Sequence, residues 1–382
     1  MCSSDLEGLN TNEMYVGGMS SSMPEDVQYE EIKDTLVGCT ILGTGGGGSL
    51  ESGLEAVEKA WNAGHEFKLL SFDEINDDSY YANPYYCGSI VPKGDTSQKR
   101  GDEIATSVKA LEEYMGVQFE GLVSIEYGGG NTGAVMAAAA RTGKYIVDAD
   151  AAGRAVPELQ FSTYYVTENP ITPFSVGTSF GDMAIVTNVE NDARAEALSR
   201  YMAIGSGGLV GMTDHPIKGD KLRHAVIPNA LTYAATVGRA QREAVERGSD
   251  PIQAILDTGK GKLLFQGTVT GESEWGIKEG FTVGTIHIAG EGAFAHQTSK
   301  IWYKNENMVM WIDDKVNLTC PDLICVVEKA TGYPITNPNC VEGMEVAVLG
   351  FHCHELWTRE RALEILNPRF FGFDMDCVFL QD

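Results

Sequence analysis

Apolar positions fall at helical spacing through most of the chain, and give way near residue 263 to short segments of alternating β type. Tyr29–Leu42 starts with helix formers and turns apolar at Leu36-Val37 and Ile41-Leu42, before a glycine tract at 43–48 breaks it. Ser49 is placed to cap a second helix over 50–62, with Leu54, Val57 and Trp61 on one face and Gly64 beyond its end. Residues 67–72 read as a strand, followed by a polar stretch and a helix near 103–114. The pattern then becomes strand (121–126), glycine turn, alanine-rich helix (132–141) and strand (144–150). Such a βαβ unit predicts a parallel pair with a right-handed crossover. A strand at 184–188, a helix at 193–202, a long helix at 230–247 and a short one from Asp250-Pro251 follow. Beyond them, segments at 263–266, 281–288, 299–303, 308–312, 323–327 and 344–349 are parted by turn residues every ten or so positions. That spacing predicts an antiparallel barrel or sandwich.

With 382 residues the chain exceeds one ordinary core, so two domains are expected. The fold class is α/β: an N-terminal α/β domain with parallel strands and glycine-rich turns (23–172), and a C-terminal α+β domain (173–382). The β-rich core of the second is expected at about 262–358. Residues 1–22, polar and Ser/Gly-rich, read as a disordered leader, and Ser22-x-x-Glu25 with Pro24 as a capped helix start.

A net charge of −26 changes the functional picture, because phosphate backbones and anionic lipids repel such a chain. The densest basic stretch, Arg239, Arg242 and Arg247, is interleaved with Glu243 and Glu246 as a solvated helix face. No nucleic-acid or membrane partner is therefore expected; a small-molecule substrate is, with a homo-oligomer left open. The N-terminus lacks a signal peptide's basic start and apolar run, and eight scattered cysteines form no C-x-x-C, so a reducing cytoplasm is expected.

Three segments carry candidate chemistry. Gly43, Gly45 and Gly48 match G-x-G-x-x-G, but the element before them reads as a helix and no lysine follows, so neither dinucleotide fingerprint nor P-loop is met. Gly45, Gly46 and Gly47 remain candidates for backbone contact with a ligand at a helix N-terminus, against a plain tight turn. Glu126, Gly128, Gly129, Gly130 and Asn131 lie at the carboxyl end of a parallel strand, where open α/β sheets bind ligands; Asn131 or Thr132 as a helix cap is the plainer reading. Asp148, Asp150, Arg154 and Glu158 follow the adjacent strand. Two carboxylates there can separate each other's pKa into an acid and a base, or hold a divalent metal; Asp150 pairing with Arg154, or capping, is the structural alternative. His352 and His354 could be two zinc ligands, without an evident third. No cofactor is required by these motifs, and a divalent metal stays open.

Taken in order, Leu42 with the tract 43–48, Glu126-Tyr127-Gly128-Gly129-Gly130-Asn131, and Asp148-x-Asp150-x-x-Gly153-Arg154-Ala155-x-Pro157-Glu158 resemble the S-methyl-thiohydantoin desulfurase family. Asn305-Glu306, Pro321-Asp322-Leu323-Ile324 and Asn367-Pro368-Arg369-x-Phe371-Gly372-Phe373-Asp374 resemble its later landmarks, so the likeness spans about 30–376. It implies an α/β domain before a β-cored one, and association with hydantoinase and oxoprolinase-type enzymes. The implied activity replaces a ring methylthio group by oxygen. On that reading Asp148 or Asp150 is the base, Arg154 or the 128–130 amides are donors, and Glu126 or Asn131 orients the ring. Attack by Cys39 or Cys87 is the nucleophilic variant. A non-catalytic binding or accessory subunit, and a nucleotide-binding enzyme using the 43–48 tract, are the competing functions.

Overall fold

The computed structural model describes residues 25–26, 28–88 and 102–381. The expected leader at 1–22 lies outside them. Glu25–Asp26 (β1), expected to open a helix, is instead a two-residue strand paired with Lys68–Leu70 (β2). Between them run Tyr29–Leu42 (α1) and Leu50–Asn62 (α2), the latter capped by the Ser49 hydroxyl, which accepts from the Ser52 amide at 3.1 Å. Next come Tyr80–Gly88 (β3), Glu103–Met115 (α3), Phe119–Ser124 (β4), Gly129–Thr142 (α4) and Tyr145–Asp150 (β5). β4 and β5 are parallel, as the βαβ pattern requires.

Thr163–Val166 (α5), Phe174–Gly177 (β6), Met183–Val186 (β7), Asp192–Gly205 (α6), Leu209–Lys218 (β8), Gly219–Ala225 (α7) and Ile227–Pro228 (β9) complete the first sheet. Its order is β1-β2-β5-β4-β3-β8-β6-β7, with β9 also on β5. β2, β5, β4 and β3 are parallel, whereas β3–β8 and β8–β6 are antiparallel, which makes the sheet mixed. β3 and β8 were not expected as strands. Each contains a proline (Pro84, Pro216) in a run broken by polar residues, features that argue against a central strand.

Ala230–Arg247 (α8) packs back on α1, glycine against backbone. A Cβ at Gly38 would lie 1.8 Å from the Ala234 carbonyl oxygen, and one at Gly238 would lie 1.9 Å from that of Asp34. Gly38→Ala gains up to about 1 kcal/mol of helix propensity but forces two backbones apart. Overpacking of this kind costs about 1–3 kcal/mol. A lower urea midpoint with unchanged slope is the expected result, and an equal or higher midpoint contradicts the tight crossing.

Pro251–Gly259 (α9) leads into the second sheet. Its strands are Lys262–Val269 (β10), Glu274–Lys278 (β11), Phe281–Gly290 (β12), Thr298–Lys304 (β13), Glu306–Ile312 (β14), Lys315–Thr319 (β15), Leu323–Glu328 (β16) and Glu345–Phe351 (β17). All pairings are antiparallel, in the order β15-β14-β13-β12-β10-β17-β16 with β11 on β12. Phe265, Ile286, Ile301, Met310, Ile324 and Val348 fill the core on one face. The antiparallel expectation holds, but among the described residues no ladder joins β15 to β16, so the sheet is not a closed barrel. The C-terminal tail takes the place of a closing strand: the Thr319 amide donates to the Val378 carbonyl at 2.9 Å, and the Leu380 amide to Asp322 Oδ2 at 2.7 Å. Among the described residues no helix is long and apolar enough to cross a membrane.

Candidate active site

The glycine tract after α1 turns back on itself, the Gly46 amide donating to the Gly43 carbonyl at 2.8 Å. The Asn131 amide then donates to the Gly47 carbonyl at 3.0 Å, and the Tyr127 amide to the Arg154 carbonyl at 3.2 Å. The three candidate segments thus meet, as the sequence suggested. The second sheet closes over them: the Asn307 amide donates to the Thr44 carbonyl and the Asn337 amide to the Gly45 carbonyl, both at 2.8 Å. Beside this junction lies a cleft of about 590 Å³, the size of a small-molecule site. Its wall includes Gly47, Gly48, Ser49 and Ser52 at the start of α2, Gly130, Asn131, Ala134, Ala137 and Ala138 of α4, and Tyr85, Tyr86 and Cys87 of β3. Glu126, Glu158, Glu196 and Arg200 add to it, and Asn305 and Glu306 come from the second sheet.

Two carboxylates in this wall stand out. Glu126 is buried; its Oε1 accepts from Asn131 Nδ2 at 2.7 Å and its Oε2 from the Val156 amide at 2.8 Å. Burial pushes its carboxyl up to about 7 against those two hydrogen bonds, with help from the charges of Asp150 and Glu196. Glu306, 2% exposed, has no partner for Oε2 among the described residues. Burial first, and then the charge of Glu126, hold its carboxyl well above the usual range. Gly46 makes room for it: a Cβ there would sit 2.0 Å from Glu306 Oε1. Two further wall acids are paired in place, Glu158 with Lys304 and Glu196 with Arg200.

The other expected site residues fall as follows. Asp148 serves α8: Oδ1 accepts from the Leu231 and Thr232 amides at 2.9 and 3.0 Å, and Oδ2 from the Thr232 hydroxyl at 2.5 Å. It caps the helix N-terminus and does not line the cleft. Asp150 lies behind the wall, fully buried, with Oδ1 accepting from the Ala152 and Gly153 amides at 2.8 and 2.5 Å. Among the described residues its Oδ2 lacks a partner, and burial pushes its carboxyl up to about 7. Arg154 does not line the cleft; its guanidinium is engaged by the carbonyls of Asn307, Pro321 and Asp322. Gly47 and Gly130 reach the wall. Gly128 packs on Gly47, at 2.3 Å from a built Cβ to the Gly47 Cα; Gly129 packs on Leu50, and Gly45 on Asn337. Most of these glycines therefore serve backbone-to-backbone contact. Gly47 also needs its φ of +73°, a conformation that side chains disfavour.

Burial drives the thiols of Cys39 and Cys87 far above their ordinary range, which favours the neutral, unreactive form of both. His354 Nδ1 accepts from the Leu356 amide at 3.3 Å, burial lowering the imidazole to about 4, while His352 Nδ1 lies 3.9 Å from Asp322 Oδ2. Neither histidine lines the cleft. Among the described residues no group of three or more His, Cys, Asp or Glu side chains is arranged to hold a metal.

Glu306 was not singled out for chemistry from the sequence, where a lone glutamate before the apolar run 308–312 looks like a strand end. Its signal was the Asn305-Glu306 landmark.

Fold and cleft together define a two-domain α/β protein with a ligand-sized cavity whose wall brings the buried carboxylates Glu126 and Glu306 together. The chain belongs to the S-Me-THD-like family: the family's N-terminal domain matches residues 30–188 and its C-terminal domain residues 190–380. A crystal structure of a protein from Chromobacterium violaceum shares the fold, with a TM-score of 0.74 at 20% identity, over 93% of this chain and 99% of that one. No curated protein matches the chain.

Proposed function

We propose that the protein hydrolyses a five-membered cyclic amide derivative, replacing the methylthio group of an S-methyl thiohydantoin by oxygen. The family supports the substrate class, and one observation carries the mechanism: Glu126 and Glu306 share the cleft wall, both carboxyls are raised by burial, and the charge of Glu126 raises Glu306 further. Glu126, held by two donors, is the base. Glu306, with one oxygen bare, is the acid.

Water attacks the ring carbon that bears sulfur while Glu126 takes its proton. The C=N electron pair moves to the ring nitrogen, which takes the proton of Glu306. In the tetrahedral adduct the C–S bond then breaks, and the sulfur leaves as methanethiol with the proton from Glu126. The adduct hydroxyl becomes the carbonyl and returns its proton to Glu306, so both groups regain their starting states. The N-termini of α2 and α4 open on the cleft and favour the negative charge that develops on the ring.

Purified protein incubated with S-methyl thiohydantoin should release thiol and incorporate solvent oxygen into the hydantoin. Ligand binding without thiol release would leave a binding protein and sink this reading. Its kcat/KM should rise with pH through about 7 as Glu126 ionises, and fall at higher pH as Glu306 loses its proton. A flat profile from pH 5 to 9 contradicts the assignment.

A further inference from the structure

β11 is a free sheet edge. Among the described residues it pairs with β12 alone, in an unbroken register from Glu274↔Thr285 to Lys278↔Phe281, and all five of its residues are exposed. Its apolar side chains are large, Trp275 at 52% and Ile277 at 48% exposure. Natural edges are commonly blunted by a proline, a bulge or an inward-pointing charge, and β11 has none of these.

Backbone geometry fixes what this edge offers. The turn into β12, Glu279-Gly280, has both residues at positive φ (54° and 87°), as two-residue hairpin turns require. Lys278 and Phe281, which close it, form a hydrogen-bonded pair, and the alternation of an antiparallel ladder follows from there. The N–H and C=O groups of Glu274, Gly276 and Lys278 point to β12. Those of Trp275 and Ile277 point outward.

The strand reads Glu-Trp-Gly-Ile-Lys, with opposite charges at its two ends. Among the described residues neither Glu274 nor Lys278 forms an ion pair. We propose that β11 pairs antiparallel with β11 of a second copy about a two-fold axis at Gly276, forming a homodimer with one continuous sheet. In that register Trp275 lies opposite Ile277 of the second copy, and the outward groups of both residues make reciprocal hydrogen bonds. Glu274 meets Lys278 on the other face, twice by symmetry. Moving the axis to Trp275 or Ile277 also satisfies the ladder, but it sets a charge against Gly276 and loses both ion pairs. Val341, 54% exposed, shares a shallow groove with Trp275 and extends the apolar contact.

The test exploits this self-complementarity. At about 0.15 M salt, where the −26 charge of each chain is screened beyond roughly 8 Å, light scattering at tens of micromolar should give the mass of two chains. Glu274→Lys and Lys278→Glu, each at exposed positions, should weaken the dimer at least tenfold. The double variant E274K/K278E should restore it, because the swapped charges again face each other. Thermal melts of all three confirm that they fold. A single-chain mass for the wild type overturns the proposal. So does a dimer that ignores the single substitutions, since its interface lies elsewhere.

Discussion

Glu306→Gln is expected to cut turnover by about 10²- to 10⁴-fold, as loss of a general acid does, and yet to raise the melting temperature at pH 8. The second effect follows from the raised acidity constant of Glu306. Above the usual carboxylate range the unfolded chain gives up this proton while the folded chain keeps it. Folding stability therefore falls as pH rises through that window, and stays reduced once the folded group ionises as well. Each unit by which the folded pKa exceeds the unfolded one costs about 1.4 kcal/mol. Glutamine cannot ionise, so the variant escapes that loss, and at pH 4 the two proteins should melt alike. Thiol release and thermal melts at pH 4 and 8 check both halves. An active variant removes the acid role. An inactive variant that is less stable at pH 8 makes Glu306 a structural residue.

Arg154→Met should prevent stable folding instead of merely silencing the site. The guanidinium is fully buried and donates to the carbonyls of Ala155, Asn307, Pro321 and Asp322 at 3.0–3.1 Å, and to the Thr44 hydroxyl at 3.3 Å. Methionine fills similar space but strands those acceptors, at about 1–3 kcal/mol each. The total rivals the roughly 5–15 kcal/mol by which proteins are stable. Lysine should rescue only part, because one ammonium cannot reproduce the planar fork. Soluble yield and urea midpoints decide. A well-folded Arg154→Met protein that has lost only ligand affinity would return Arg154 to the ligand-binding role read from the sequence.

The helices α1, α2, α4 and α8 were legible because glycine stops and runs of helix formers agree at each, with the Ser49 cap added at α2. The βαβ unit was legible from its period. β3 and β8 were not, for Tyr80–Gly88 and Leu209–Lys218 are central strands that carry Pro84 and Pro216 and pair across more than a hundred residues. No local pattern reports such a pairing. At the site the three converging segments were readable, but the division of labour within them was not. Asp148, Asp150 and Arg154 look more chemical in sequence than Glu126 does. The fold spends Asp148 on a helix N-terminus and Arg154 on the second sheet's carbonyls, facts that depend on Leu231, Thr232 and Asn307, remote in the chain. Glu306 gains its character from burial beside Glu126, which no spacing reveals.

The glycine loop also has a history during synthesis. Until residues beyond Lys304 emerge from the ribosome, the carbonyls of Thr44 and Gly45 lack their Asn307 and Asn337 donors, and Gly46 faces open space. Every strand of the mixed sheet precedes residue 229, so a nascent chain carries Glu126 before Glu306 is made. The energetically awkward meeting of two like carboxylates is thereby postponed until the first sheet is complete in the chain.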